Sequence, residues 1–428
     1  MLSVLWVTNT VFPHPARMLG LPTDFGGGWL LALADLLRQR GAVRLAVASV
    51  YAGKELRRLE ESGITYYLLP GGAHAMLEPD MGLEAWWARV VDDFNPDVLH
   101  LHGSEYAHGV PLLRSCAEIP SVLSIQGLVS FLAECYLDGI DHRERKRFRT
   151  FRDIVRRDGM EVQQRKFARR GIHERLLFTL TRNIIGRTTF DRAHARALNP
   201  AATYFHNDET LRPAFYTSRW RLSGAECHMI FISQSSAPYK GFHFMVRALP
   251  VILRSCPDAR LVVAGDKCCD VSTWQRRIGE TGYSRYLRTL IRERTVADRI
   301  HFTGPLTEEQ MAAALCRSHV FVLPSSIENS PNSLGEAQII GMPCVAACVG
   351  GVPDMVTQGE SGLLYDHRDP EMLADRVLEV FESDESAQRL GEKAREMALT
   401  RHDREQNRSE LEKIYEVIVH CGPGRRLA

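Results

Sequence analysis

Short apolar runs rich in Val, Leu and Ala alternate with amphipathic stretches through the first 126 residues. Ser3–Val7, Val43–Val50, Thr65–Leu69, Asp97–His102 and Ser121–Ile125 read as strands, and Gly28–Gln39, Gly53–Glu61 and Leu83–Phe94 as helices. Strands of this length between helices make a parallel, doubly wound sheet. After Gln126 the pattern stops. Residues 128–200 read as largely helical, strand character returns at Ala202–Phe205, and Asn207–Gly224, which holds Pro213, reads as a hinge. A second α/β series follows. Its strands are Met229–Ser233, Arg260–Ala264, Ile300–Thr303, Val320–Leu323 and Cys344–Ala347; its helices are Phe242–Ser255, Ser284–Arg292, Pro370–Phe381 and Ser386–Leu399. A last helix, Arg404–Val419, ends before Gly422-Pro423-Gly424, a stop signal. The expected architecture is α/β, with two Rossmann-like domains facing each other across a deep cleft. Residues 1–215 form the first domain, with a basic helical insert around 128–200, and 216–402 the second. Residues 403–428 are a C-terminal helix and tail, free to cross back to the first domain.

The composition of the 428 residues, 45% apolar and 25% charged, excludes disordered and fibrous classes. A net charge of +1 argues against a nucleic-acid binder on average, but Arg143–Arg192 holds sixteen basic residues against six acidic ones. Three readings stay open for that stretch: a solvated helix face, a surface for anionic lipid headgroups, or a nucleic-acid contact lacking any stacking module. The expected partners exclude nucleic acid and include an anionic membrane touched through residues 143–192. The ten cysteines contain no C-x-x-C pair, so neither a zinc site nor a disulfide framework is expected. No run of about 18 apolar residues occurs, and MLSVLWVTNTVF reads as a first strand, not a targeting peptide. The expected location is cytoplasmic, peripheral on the inner face of the membrane. There are seven lysines against 46 arginines, which makes each lysine conspicuous.

Candidate chemistry concentrates in Pro324–Ala337, which follows an apolar strand and opens a helix. Asn332 and Ser333 fall at the helix N-terminus, where free N–H groups and the dipole suit an anion. Glu328 and Glu336 flank that cradle and can accept hydrogen bonds from sugar hydroxyls, or be two glutamates that merely favour a helix start. Asp24–Trp29 carries three glycines after the first strand, and His100 and His102 end another strand, where one core and one surface histidine is an equal reading.

The Glu328–Glu336 spacing, with Val320–Pro324 and Gly341-Met342-Pro343 around it, resembles the donor segment of retaining glycosyltransferase family 4, of the two-domain GT-B fold. Tyr239-Lys240-Gly241-Phe242, Val262–Gly265, Phe302-Thr303-Gly304, Gly350-Gly351-Val352-Pro353 and Gly359–Leu363 follow in the family's order, so the resemblance covers nearly the whole chain. It implies transfer of a sugar from a UDP- or GDP-sugar to a sugar or lipid-linked acceptor, in polysaccharide, glycolipid or related synthesis, with retention of configuration. Glu328 and Lys240 would be catalytic; Glu336, Ser330, Asn332, Ser333, Ser235 and Gly304 would bind the donor. Gly27, Gly28, His102 and Gln126 would face the acceptor. Neither a cofactor nor a metal is implied, since no Asp-x-Asp dyad is present and Lys240 with a helix terminus replaces the cation. Two positions depart from the family pattern: Ser235 stands where relatives carry Arg, and Gln126 where many carry His. An epimerase of the same fold and a non-catalytic carbohydrate- or lipid-binding relative are the rival readings.

Overall fold

Strands β1 (Leu2–Thr8), β2 (Val43–Tyr51), β3 (Arg57–Glu61), β4 (Ile64–Pro70), β5 (Val98–His102), β6 (Ser121–Ser124), β7 (Asn183–Gly186) and β8 (Thr203–His206) make one sheet. Their order is β3-β4-β2-β1-β5-β6-β7-β8. The second sheet holds β9 (Met229–Ile232), β10 (Arg260–Val263), β11 (Ile300–Phe302), β12 (Val320–Leu323), β13 (Cys344–Ala347) and β14 (Leu363–Tyr365), in the order β11-β10-β9-β12-β13-β14. This computed structural model describes residues 1–21 and 27–420, so the Gly422-Pro423-Gly424 stop signal lies outside the described residues.

All strand pairs are parallel except β3–β4. That pair corrects the helix expected over Gly53–Glu61. Ser62 and Gly63 both take positive φ (51° and 78°), the geometry of a two-residue hairpin turn, which folds Arg57–Glu61 back as an edge strand. The short strands β7 and β14 were also not expected.

In the first sheet, successive residues of one strand enter two different cores. Leu5 and Val7 join one buried cluster, Val4 and Trp6 the other. Helices on both faces account for this, and for the near-continuous apolar character of the strands. Leu411, Ile414, Tyr415 and Ile418 of the last helix, Arg404–His420, complete the second cluster. The hydroxyl of Tyr415 accepts from Trp6 Nε1 at 2.9 Å and lies 2.6 Å from His100 Nδ1, so one buried group links β1, β5 and the chain's last helix.

The chain divides into two compact units. The first comprises residues 1–131, 168–211 and 402 onward; the second comprises 132–167 and 212–401. The boundary expected at 215 thus lies at 211, and residues 132–167 of the helical stretch group with the second unit. Their contacts explain it. Phe148 packs edge-on against Tyr286 at 5.4 Å, Gly282 N donates to Asp153 at 2.9 Å, and His243 Nε2 lies 2.9 Å from the carbonyl of Asp138.

Candidate active site

In the second unit the chain runs from β9 outward to β10 and β11, then returns to β12 on the other side of β9. The sheet's switch point therefore lies between β9 and β12, and the loops leaving their carboxyl ends diverge there. Open α/β sheets bind ligands at such a crevice. Lys240 stands on the loop after β9 and Glu328 on the loop after β12.

The two loops are joined by more than proximity. Ser326 N donates to Tyr239 O at 2.7 Å, and Gly241, at φ +72°, lies so near Pro324 that a Cβ would fall 1.7 Å from its carbonyl oxygen. Only glycine fits there. Lys240 Nζ donates to Glu328 Oε1 at 2.7 Å, and Ser325 Oγ donates to the same oxygen at 2.7 Å. Burial works to lower the Lys240 pKa, but Glu328 and Tyr239 outweigh it and the net shift is upward, so the ammonium stays charged. From the far side, Gly351 N donates to Glu328 O at 3.1 Å, and a Cβ on Gly350 would lie 2.0 Å from that oxygen.

The helix Asn332–Ile339 begins after Pro331, which offers no side-chain cap. The N–H groups of Asn332 and Ser333 are therefore left at an open N-terminus, where an anion is favoured. Among the described residues, Oδ1 of Asn332 and Oγ of Ser326 are buried without a hydrogen-bond partner. Ser330 Oγ lies inside, 3.8 Å from Met355 Sδ and 3.5 Å from Arg401 Nη2.

Glu336, 6% exposed, lies on the buried face of that helix. Arg212 grips it with two hydrogen bonds, Nε to Oε1 at 2.7 Å and Nη2 to Oε2 at 2.8 Å. Burial raises the Glu336 pKa above the ordinary carboxylate range, and Arg212 pulls it partly back. An ionised carboxylate has about four acceptor directions, so a bidentate Arg leaves room for hydroxyl donors. Arg212 falls in the segment Asn207–Gly224, to which the sequence assigns only hinge duty.

Ser235 is buried on the loop after β9, beside Cys268 of the loop after β10. The position where relatives carry Arg is thus packed inside, and Arg212 and Arg401 bring guanidinium groups to the site from elsewhere in the sequence. Gly304, at φ +75°, exchanges two backbone hydrogen bonds with Gly265, at 3.0 and 3.2 Å. It lines a cavity of about 800 Å³ with Asp266, Lys267, Cys268 and His301. Gly304 and Ser235 belong to the loops after β11 and β9.

The first unit repeats the logic. Its switch point lies between β1 and β5. Asn9, just after β1, donates from Nδ2 to Glu105 Oε2 at 3.2 Å, across that point. Gly103, at φ +102°, makes room, because a Cβ there would fall 2.2 Å from Glu105 Oε2. Burial first, then the nearby Glu174, pushes the Glu105 pKa up to about 7. Glu105 was absent from the sequence-based candidates; a carboxylate three residues past a strand end was the available signal.

His102 is buried, stacked 3.8 Å from the His100 ring and 4.4 Å from Trp6, and neither ring nitrogen has a hydrogen-bond partner among the described residues. Burial and the neighbouring His100 and Arg187 hold its pKa well below the usual value. His100 is buried as well, with Nε2 2.7 Å from Ser124 Oγ, so the alternative of one surface histidine is corrected: a sheet covered on both faces buries both sides. Gln126 is half-buried just past β6. Gly27 and Gly28 begin the helix Gly28–Arg40, whereas Asp24, Phe25 and Gly26 lie outside the described residues. No helix among the described residues is long and apolar enough to cross a membrane.

Residues 224–397 match the family described as glycosyl transferases group 1. The chain is 32% identical over 163 residues to a D-inositol 3-phosphate glycosyltransferase of Corynebacterium efficiens, covering 38% of this chain and 36% of that protein. It is 28% identical over 221 residues to a GDP-mannose-dependent alpha-(1-6)-phosphatidylinositol monomannoside mannosyltransferase of Mycobacterium tuberculosis, covering 47% and 53%. The matches thus span between about a third and about half of these relatives. Among solved structures, sucrose-phosphate synthase of Thermosynechococcus elongatus aligns over 99% of this chain and 100% of its own, with TM-score 0.71 and 16% identity. Anabaena HepE in complex with UDP-glucose aligns over 97% and 100%, with TM-score 0.67 and 16% identity. Residues 224–397 are thus similar to glycosyl transferases group 1, and the chain as a whole has the two-unit α/β fold named GT-B.

Proposed function

We propose that this protein is a retaining glycosyltransferase that moves a sugar from a nucleotide-diphosphate donor to an acceptor hydroxyl, in bacterial polysaccharide, glycolipid or related glycoconjugate synthesis. The observation that carries the reading is the Lys240–Glu328 ion pair, at 2.7 Å, spanning the switch point beside an uncapped helix N-terminus. An ammonium and free N–H groups suit a diphosphate, and two carboxylates on the adjoining segment suit sugar hydroxyls. The relatives named above act on inositol phosphate and phosphatidylinositol monomannoside, and HepE holds UDP-glucose; these support a nucleotide-sugar donor and a polyol or lipid-linked acceptor.

In this mechanism the diphosphate takes Lys240 from Glu328. The ammonium then offsets charge gathering on the leaving phosphate, with the Asn332 and Ser333 N–H groups beside it. Glu328, released, orients the donor sugar and steadies positive charge at its anomeric carbon. Glu336, kept ionised and fixed by Arg212, accepts from the ribose hydroxyls. The departing phosphate accepts the acceptor's proton, so no strong base is needed at Gln126. Lys240 and the helix terminus supply the positive charge that other enzymes take from a metal. On the acceptor side, Gly27 and Gly28 open the helix Gly28–Arg40 of the first unit, and His102 and Glu105 lie at and just past the end of β5.

The deciding experiment is a panel of UDP- and GDP-sugars with the purified protein, read by calorimetry and by release of nucleoside diphosphate. Binding with slow release that accelerates on adding a polyol or glycolipid acceptor is the expected result. No binding of any donor overturns the proposal, and isomerisation of the donor sugar without transfer would replace it with an epimerase.

A further inference from the structure

Large apolar side chains left in water are costly enough to mean something when they gather. In the helix Phe151–Arg156, Phe151, Ile154 and Val155 are 81%, 51% and 63% exposed. Their i, i+3, i+4 spacing puts them on one face. The opposite side is fixed: Asp153 is buried, forms a capping box with Thr150, and accepts from Gly282 N at 2.9 Å. The apolar trio is therefore turned outward by an anchored helix. A second short helix, Trp274–Ile278, exposes Trp274 and Ile278, each by 66%, and ends four residues before that same Gly282.

The charge around these residues is one-sided. Between His142 and Arg157 the exposed charged side chains are Arg143, Lys146, Arg147, Arg149, Arg156 and Arg157. The two acids of the stretch are engaged: Glu144, partly exposed, belongs to the capping box of the helix His142–Phe148, and the buried Asp153 holds Gly282. Arg276 and Arg277 on the second helix are exposed as well. Apolar side chains ringed by arginines that outnumber the exposed acids Asp141 and Glu293, the latter paired with Arg147 at 3.7 Å, match a surface with anionic headgroups over an acyl layer. Nucleic acid would use the arginines but leaves Phe151, Ile154 and Val155 unaccounted for.

We infer that the exposed face formed by the helices Phe151–Arg156 and Trp274–Ile278 is a docking surface for an anionic lipid bilayer, with Phe151, Ile154, Val155 and Trp274 entering the headgroup–acyl boundary. The docking surface belongs to the second unit. It narrows the basic stretch 143–192 to its first third and adds a helix more than a hundred residues downstream. It fits a lipid-linked acceptor but does not depend on the transfer reaction, since vesicle binding needs no donor.

The test is co-sedimentation of the full-length protein with phosphatidylglycerol–phosphatidylcholine vesicles and with phosphatidylcholine vesicles. The anionic vesicles should bind on the order of ten-fold or more tightly, and less so as salt rises. F151S/I154S/V155S should weaken binding on the order of a hundred-fold while thermal melting stays unchanged, because these side chains are already in water. R149Q/R156Q/R157Q should abolish the preference for anionic vesicles. Brominated lipid should quench tryptophan fluorescence, and W274F should remove most of that quenching. Equal binding by the serine variant, or no binding to either vesicle, overturns the inference. So does a shift from dimer to monomer in the serine variant, which would make the occupant a second copy. Tight binding of single-stranded nucleic acid that is indifferent to the apolar substitutions also overturns it.

Discussion

Replacing Arg212 by Met leaves the buried Glu336 carboxylate without its cation. The two side chains are 25% and 7% exposed and share two hydrogen bonds of 2.7 and 2.8 Å. Removing one partner of a well-buried pair costs about 3–5 kcal/mol, and the partial exposure of Arg212 brings the figure to about 2–3 kcal/mol. For a unit of this size that lowers Tm by roughly 5–10 °C. The loss depends on pH in a defined direction. Burial already raises the Glu336 pKa, and without Arg212 it rises further. Between the unfolded and folded pKa values the native state then binds more protons than the unfolded one, so stability falls as pH rises. The R212M deficit should therefore shrink as the buffer is taken from neutral to mildly acid. R212M/E336Q, which removes the charge together with its partner, should recover at least half of the loss. Differential scanning calorimetry and urea titration of the wild type, both single variants and the double variant complete the cycle. A double variant no more stable than R212M, or a deficit that grows on acidification, would refute the reasoning.

Three further outcomes follow from the same geometry. K240M should weaken nucleotide-sugar binding on the order of ten- to a hundred-fold, whereas E328Q should lower kcat by on the order of a hundred-fold with a smaller change in KM; initial rates over a donor series separate them, and identical effects in both variants contradict the roles assigned. G350A should destabilise the second unit by about 2 kcal/mol or more, since φ is +51° there and the added Cβ meets the Glu328 carbonyl at 2.0 Å; wild-type melting in that variant would count against the clamp on Glu328. Burial lowers the pKa of His100 in the first unit and His243 in the second to about 3. The unfolded chain takes up their protons below about pH 6.5, so each withdraws about 2 kcal/mol of stability by about pH 5. A urea midpoint flat across that range would exclude their neutral burial.

The residues around Lys240 and Glu328 were legible because they lie in short contiguous motifs: a lysine turn, a carboxylate pair eight positions apart and the glycines that let loops approach. Arg212 and Glu105 were not, because their meaning comes from partners 124 and 96 residues away along the chain. Strand order supplies those neighbours, and local pattern does not encode it. The Arg57–Glu61 strand was misread for a local reason. Its short charged run has no helix-length face, and the Ser62-Gly63 turn was the signal that carried the information. His100 and His102 failed differently: alternation implies an inside and an outside only when one face of a sheet meets water. Gly304 and Ser235 lie just past strand ends, and Ser235 is buried beside Cys268.

The last helix supplies Tyr415 to a network with Trp6 and His100, and that link sets an order of assembly. On the ribosome the second unit has all its strands and helices available once Arg401 has emerged. The first unit, begun at Leu2, still lacks Leu411, Ile414, Tyr415 and Ile418 on one face of its sheet. Until synthesis passes Ile418, Val4, Trp6 and their neighbours have no lid, and the indole N–H of Trp6 has no hydroxyl to meet. The half that is translated first is thus the half that matures last, and it holds exposed sheet surface for the time needed to make the other.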